Sequence, residues 1–170
     1  SLLCTFVVDT GSFRYSNTTS ALFREAADLL EAGASTWAIS KALDESNPAS
    51  YIKLLQLVLR TFDRNGPVSW VVLTHQMLEE AGASTDVAEE FINFPRSILG
   101  PEVAILFRQS DGAERWKVSF RSQDSVDVRR VAMAFDGGGH MHAAGCTLDG
   151  SLAQVKERVF AEVQKHLFKV

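Results

Sequence analysis

Apolar residues recur along this chain with two spacings, and the spacing changes near residue 67. Before that point they return every three to four positions, the period of a helix with one buried face. Leu22, Phe23, Ala26, Leu29 and Leu30 make the first such stripe, with Asn17, Thr18 and Thr19 as cap residues before it and Gly33 after it. A second short helix runs from a Ser35 or Thr36 cap through Trp37, Ile39, Ala42 and Leu43. Ser46-Asn47-Pro48 opens a third, which carries Tyr51, Ile52, Leu54, Leu55, Val58, Leu59 and Phe62. That helix is apolar over more than half its circumference, so it is expected to be covered on two sides, as a connector between domains would be. Asp63-Arg64-Asn65-Gly66-Pro67 ends it with capping and turn residues.

Beyond Pro67 strand-like segments enter. Residues 68–73 read as a strand, Thr74 caps a helix that Gly82 ends, and Ser84-Thr85-Asp86 caps another through Val87, Ala88, Phe91 and Ile92. The stretch from Asn93 to Gly100 breaks that helix. Residues 102–108 and 115–121 form a hairpin across Ser110-Asp111-Gly112-Ala113. Val103, Ile105 and Phe107 share one face of the first strand, and Trp116, Val118 and Phe120 one face of the second. Lys117, Ser119 and Arg121 share the opposite face. This turn sets Arg121 opposite Glu102 or Val103, about 17 Å from Arg108 at strand rise, too far for both to hold one phosphate. Ser125 or Asp127 caps a helix bearing Val128, Val131, Ala132 and Phe135, and residues 144–148 return as a strand. Leu152, Val155, Val159, Val163 and Leu167 then make the seam of a final helix, with Lys156, Glu157, Glu162 and Lys165 facing water. The pattern is that of an α/β chain. A helical segment (1–44) and a connector helix (45–66) precede a small mixed-sheet α/β domain flanked by helices (67–170).

Composition narrows the ligand. The chain has 170 residues, 46% hydrophobic and 22% charged, ordinary values for globular domains. Its net charge of −4 provides no global basic field for a long duplex, so a nucleic-acid ligand should be short and held locally. Cys4 and Cys146 match no metal spacing and fit a reduced cytoplasmic compartment. No apolar run approaches the roughly 20 residues needed to span a membrane, and no membrane partner is expected. The chain lacks an initiator Met and starts on an apolar run, residues 2–8, that reads as a buried core element. It is therefore expected to be a fragment whose natural N-terminal part is missing.

The candidate chemistry concentrates in Phe135-Asp136-Gly137-Gly138-Gly139-His140-Met141-His142-Ala143-Ala144-Gly145. Three glycines serve where the backbone takes unusual dihedrals or where something approaches it closely. Such a loop can present N–H groups to an anion beside an imidazole, or it can be a tight helix-to-strand connection with no ligand. It is not a P-loop, because Gly139-His140-Met141 stands where Gly-Lys-Ser/Thr is needed. It is not a dinucleotide fingerprint either, because His142 occupies the third glycine position. His140 can stack on a base or hydrogen-bond a phosphate. His140 and His142 as a metal pair are a weak signal, and His142, His75 and His166 read as incidental. Arg121-Ser122 ends its strand at a loop, where the arginine is either an anion ligand or a solvated strand end. Asp9 follows the first apolar run, where it either joins a metal or caps the N–H groups of Gly11 or Ser12.

Gly137-Gly138-Gly139-His140 with Ala143-Ala144-Gly145 resembles the signature of the domain that accompanies DHH phosphoesterases. The likeness is greatest to the bacterial oligoribonuclease and phosphoadenosine-phosphate phosphatase group. It extends to Asp9-Thr10-Gly11 with Phe13-Arg14 and Asn17-Thr18, to Asn93-Phe94-Pro95-Arg96 before Glu102-Val103-Ala104, and to Arg121-Ser122. The resemblance implies a C-terminal substrate-binding part of such an enzyme. Arg121, Ser122, the Gly138 and Gly139 backbone and His140 would hold nucleotide, with Arg96 and Arg14 as lesser candidates. It further implies Asp9 as a ligand of a two-metal centre, manganese or magnesium. Short oligoribonucleotides or mononucleotides, including 3′-phosphoadenosine 5′-phosphate, are the implied ligands, and a homodimer stays open. The chain contains no Asp-His-His and none of the family's earlier aspartate motifs, so on its own it is expected to be inactive. The related domain also accompanies alanyl-tRNA synthetases and single-strand exonucleases, which leaves a stand-alone nucleotide- or RNA-binding module as the alternative.

Overall fold

The computed structural model describes residues 2–13, 17–112, 114–123 and 126–167, and the chain divides into two units, Ser1–Pro48 and Ala49–Val170. The first unit is helical: α1 (Leu2–Asp9), α2 (Ser20–Glu31) and α3 (Thr36–Asp44). The expected caps form. Thr19 Oγ1 accepts from the Leu22 N–H, and Ser35 Oγ accepts from the Ala38 N–H. Residues 2–8 are not the buried element expected. They belong to a helix that buries Leu3, while Leu2 and Val8 stay more than half exposed. After α1 the chain takes three left-handed residues in succession, Gly11, Ser12 and Phe13, and Phe13 stacks on Phe23 with ring centroids 5.1 Å apart.

The second unit opens with α4 (Ala49–Leu59), whose Tyr51, Leu54 and Val58 are buried. Ile52 and Leu59 remain exposed, so this helix buries one stripe instead of being covered on two sides. Asp63–Asn65, read as a turn, is a strand, β1, that pairs antiparallel with β2 (Val68–Leu73). Thr74 caps α5 (His75–Ala81), and Gly82 closes it in a left-handed conformation. Thr85–Ile92 is a 3₁₀ helix instead of the expected α-helix, without a side-chain cap, and α6 (Asn93–Arg96) follows it. Next come β3 (Val103–Gln109), β4 (Arg115–Ser122), α7 (Val128–Met133), β5 (Gly138–His140), β6 (Ala143–Asp149) and α8 (Leu152–Leu167). Asp127 accepts from the Arg129 N–H at the start of α7, and Ser125, the other expected cap, lies outside the described residues. No helix among the described residues is long and apolar enough to cross a membrane.

The six strands lie in the order β1-β2-β3-β4-β6-β5, with β2 and β3 parallel and every other pair antiparallel. The β3–β4 hairpin stays paired out to Ser110 and Arg115, whose N–H and C=O bond at 2.7 Å. The register therefore shifts from the expected one, and Arg121 lies opposite Ala104 and Arg108 opposite Lys117. The face alternation holds. Ile105, Phe107, Trp116, Val118 and Phe120 pack under α7 and α8, where Val155, Val159 and Val163 are fully buried. Burying a valine side chain stabilises by about 1.5–2 kcal/mol, which fixes α8 against the sheet. Two α8 residues expected in water are not there. Lys156 sets its ammonium over the Trp70 ring, with Nζ 5.3 Å from the centroid, and the partly buried Glu162 pairs with Lys165 and His166.

The other face of the sheet is covered only in part. Val71, Leu73, Ala104 and Leu106 of β2 and β3 pack against α4, α5 and the 3₁₀ helix. That helix reaches β4 at Ser119, through Glu89. Farther out, Gly138, His140 and Thr147 on β5 and β6 are exposed, so this part of the sheet is an open trough.

Candidate ligand-binding site

The glycine-rich segment forms the outer strand of a tight hairpin. Asp136 turns the chain with φ 56°, a left-handed value that aspartate tolerates. Gly138, Gly139 and His140 then pair with Gly145, Ala144 and Ala143, leaving Met141-His142 as a two-residue turn. The glycines differ. A Cβ on Gly137 would stand 2.6 Å from Cys146 Cβ and 2.9 Å from Ala132 O. One on Gly139, whose φ is 138°, would stand 2.5 Å from Ala143 O. A Cβ on Gly138 would meet nothing within 4 Å. Gly137 and Gly139 are thus needed for β5 to lie against β6, while Gly138 is bare on its open side.

Directly paired residues on neighbouring strands share a face, so the registers arrange the trough in rows. Arg121, Ala143 and His140 form one row. Ser119, Gly145 and Gly138 form the next, and Lys117 and Thr147 the third. Arg121 and His140 stand two strands apart, about 10 Å between their Cα atoms. The middle row has no side chain beyond the buried Ser119, so it is a flat floor. Lys117, Phe135, Asp136, Gly138, Gly145 and Thr147 line a cavity of about 470 Å³ on it, within the size range of small-molecule sites.

The two ends of the trough differ electrostatically. Arg121 donates from Nη1 to the Phe120 carbonyl and has no acidic partner among the described residues. At the far end Glu89 takes Lys117 Nζ at 2.7 Å, Arg108 at 3.7 Å and the Ser119 hydroxyl at 3.0 Å. Burial would raise the Glu89 carboxyl, but Lys117, Ser119 and Arg108 outweigh it and hold its pKa below the ordinary value.

Ser122 is not in the trough. It follows Arg121 and so points to the opposite face, where it is buried. Its hydroxyl donates to the Val126 carbonyl at 2.6 Å, so toward His142 Nδ1, 3.1 Å away, it acts as the acceptor. The Ser122 N–H bonds to the His142 carbonyl, and the Val128 N–H to the Met141 carbonyl. His142, read as incidental, ties the β5–β6 turn to the end of β4. Nothing in its spacing signals this; only the strand register does. Lys117, by contrast, was already marked by the period-two alternation that placed it on the face of Arg121.

Arg96 ends α6, and its carbonyl accepts from Gln123 Nε2 just beyond the end of β4. Arg14 lies outside the described residues. Asp9 ends α1 with its side chain exposed. It does not cap the following turn, because the Gly11 and Ser12 N–H groups bond to the Val8 and Val7 carbonyls. Among the described residues no group of three or more His, Cys, Asp or Glu could hold a metal ion, and one exposed carboxylate does not fit a metal centre by itself.

A six-stranded mixed sheet with a glycine-lined hairpin at its edge defines a domain class that comparison with known proteins identifies. Residues 68–167 match the DHHA1 domain, and the chain belongs to that family. Over 169 residues it is 36% identical to the bifunctional oligoribonuclease and PAP phosphatase NrnA of Thermus thermophilus, covering 98% of this chain and 50% of that protein. The protein of the same description from Bacillus subtilis is 27% identical over 144 residues, 84% of this chain and 44% of that one. An exopolyphosphatase-related protein from Bacteroides fragilis shares the fold, with a TM-score of 0.86 at 23% identity over 94% of this chain and 47% of that one. The chain thus spans about half the length of the curated relatives it matches.

Proposed function

We propose that this chain is the substrate-binding part of a metal-dependent phosphoesterase. It would act on short oligoribonucleotides, with 3′-phosphoadenosine 5′-phosphate as a further substrate. The observation that carries this reading is the open trough, where Arg121, without an acidic partner among the described residues, and His140 stand beside a floor whose one side chain, Ser119, is buried. A guanidinium fork suits a phosphate, and an imidazole beside it can donate a second hydrogen bond. The names of the relatives support the ligand class. The net charge of −4 supports a short ligand over a long one. Gly138 lets the ligand approach the main chain, Gly139 takes part by holding β5 against β6, Ser122 supports the strand end behind Arg121, and Arg96 and Arg14 are candidates for outer phosphate contacts. Asp9 is this chain's contribution to a manganese or magnesium centre whose other ligands it does not supply. Two free cysteines suit a cytoplasmic setting, and a homodimer is compatible with the reading.

Calorimetric titration of the chain with adenosine 5′-monophosphate and with a di-adenylate, first without and then with manganese, tests it. Binding should not need the metal. Arg121→Ala should weaken it roughly 10- to 100-fold, the loss of one charge-assisted contact of about 1.5–3 kcal/mol. No binding under either condition would refute the reading. Phosphodiester hydrolysis by the chain alone with manganese would refute the assignment of the metal centre.

A further inference from the structure

Two cations stand directly opposite each other on the trough face of β3 and β4. Arg108 is the register partner of Lys117, and like charges so placed repel. Glu89 reconciles them. One carboxylate oxygen takes Lys117 Nζ at 2.7 Å and Arg108 Nη2 at 3.7 Å, and the other accepts from the Ser119 hydroxyl at 3.0 Å. The 3₁₀ helix that carries Glu89 is held in place, because Ala88, Phe91 and Ile92 around it are buried. Burial opposes the charge of Glu89, but Lys117, Ser119 and Arg108 outweigh it, so the carboxylate is ionised at neutral pH. The exposed Asp136 lines the same cavity as Lys117 and brings a second carboxylate to this end.

Arg121 lies four residues along β4 from Lys117, about 13 Å at strand rise. That is beyond the roughly 8 Å Debye length at physiological salt, so Glu89 quenches the cations beside it and leaves Arg121 its charge. Arg121 has no acidic partner among the described residues. A trough with two basic ends would favour a ligand with phosphates at both. With one end neutralised, a phosphate placed there gains nothing. We propose that Glu89 is a specificity-determining residue: as a built-in counter-ion for Lys117 and Arg108 it closes their end of the trough to phosphate, so that the trough engages one phosphate group, at Arg121. This rests on the nucleotide-binding reading above and adds what limits the charge, and with it the length, of the ligand.

Calorimetric titration at several salt concentrations, with adenosine 5′-monophosphate and with a 5′-phosphorylated tri-adenylate, counts the phosphates engaged. Each phosphate contact on a single strand adds about −0.7 to the slope of log K against log salt, so the native chain should give about −0.7 with both ligands. Glu89→Gln keeps an acceptor for the Ser119 hydroxyl and removes the negative charge. The tri-adenylate slope should then steepen to about −1.4, and its affinity should rise roughly fivefold relative to that of the monophosphate, the gain from one half-exposed ion pair. Adding Lys117→Ala to that variant should remove the gain. A native tri-adenylate slope of about −1.4 or steeper would overturn the proposal without any variant, because Lys117 would be engaging phosphate with Glu89 in place. So would a Glu89→Gln chain that keeps the native slope and affinity ratio. If the native chain binds neither ligand while Glu89→Gln binds tri-adenylate, the counter-ion role stands and the Arg121 reading fails; if neither protein binds either ligand, both fall.

Discussion

Alanine at Gly137, Gly138 and Gly139 in turn separates architecture from ligand access within three consecutive residues. On Gly137 the new methyl would overlap Gly145 O and stand 2.6 Å from Cys146 Cβ. On Gly139 it would stand 2.5 Å from Ala143 O and 2.6 Å from Ala144 Cα, at a φ of 138° that L-residues avoid. The obstacles are the paired strand itself, which cannot rotate away, so β5 must lift from β6. Overpacking of this kind costs about 1–3 kcal/mol, and the total is bounded by what it takes to detach a three-residue strand. We expect about 2–3 kcal/mol at each of these two positions. At Gly138 the methyl meets nothing within 4 Å, so the change should fall within about 0.5 kcal/mol. Urea unfolding followed by tryptophan fluorescence suits the test, because Trp70 and Trp116 are 6% and 4% exposed in the second unit while Trp37 is already 68% exposed. With a slope of about 2 kcal/mol per molar, the midpoint should drop by about 1–1.5 M for Gly137→Ala and Gly139→Ala and stay put for Gly138→Ala. Equal losses at all three positions, or none at Gly137, would refute the packing argument.

Ser122→Ala leaves the Val126 carbonyl and His142 Nδ1–H without a partner and should destabilise by about 1–3 kcal/mol in a thermal melt. Imidazole ¹⁵N shifts should show the proton of neutral His142 on Nδ1 in the native chain and no longer held there in the variant. Glu89 has its folded pKa below the ordinary 4.5, so its contribution is full above that value and is lost as pH falls through the lower folded one. The melting temperature of Glu89→Gln should accordingly depend less on pH in that acid range; parallel curves would contradict the ion-pair assignment. Burial pushes the Cys146 thiol up to about 11, against a smaller opposing pull from Arg158. Iodoacetamide at about pH 8 should therefore spare Cys146 in the native chain and modify it after unfolding, as peptide mass mapping would show.

Elements with strong periodicity or a chemical cap were legible from the chain. Thr19, Ser35, Thr74 and Asp127 cap the helices they should, and the alternation along β3 and β4 assigned both faces of the hairpin. The unread elements have no pattern to read. Asp63–Asn65 is polar and exposed throughout, and Gly138–His140 is two glycines and a histidine. Each is a strand only because β2 or β6 offers it an edge. The register error of one or two residues in the hairpin arose because pairing persists to Ser110 and Arg115, which a turn signal at Gly112 does not specify. Lys156 was misplaced because its charge predicts water, whereas an ammonium can also be held over the faces of rings that come near only in the fold, here Trp70 and Phe107. Within the trough, Arg121, Gly138 and His140 were legible as residues. The exclusion of Ser122 and the work of His142 depend on which residues pair, and pairing across 20 or more positions leaves no local trace.

The polar strand β1 has a consequence for solubility. Its neighbour, Val68–Leu73, reads VSWVVL: six residues without charge or proline, buried along its whole length. Such a segment, if its edge were bare, would template the growth of intermolecular sheets. Asp63, Arg64 and Asn65 pair with Trp70, Ser69 and Val68, the Thr61 hydroxyl bonds the Val72 main chain beyond them, and the three β1 residues add nothing to either hydrophobic core. Four polar residues outside both cores, Thr61 and Asp63 to Asn65, thus act as gatekeepers of that edge against aggregation.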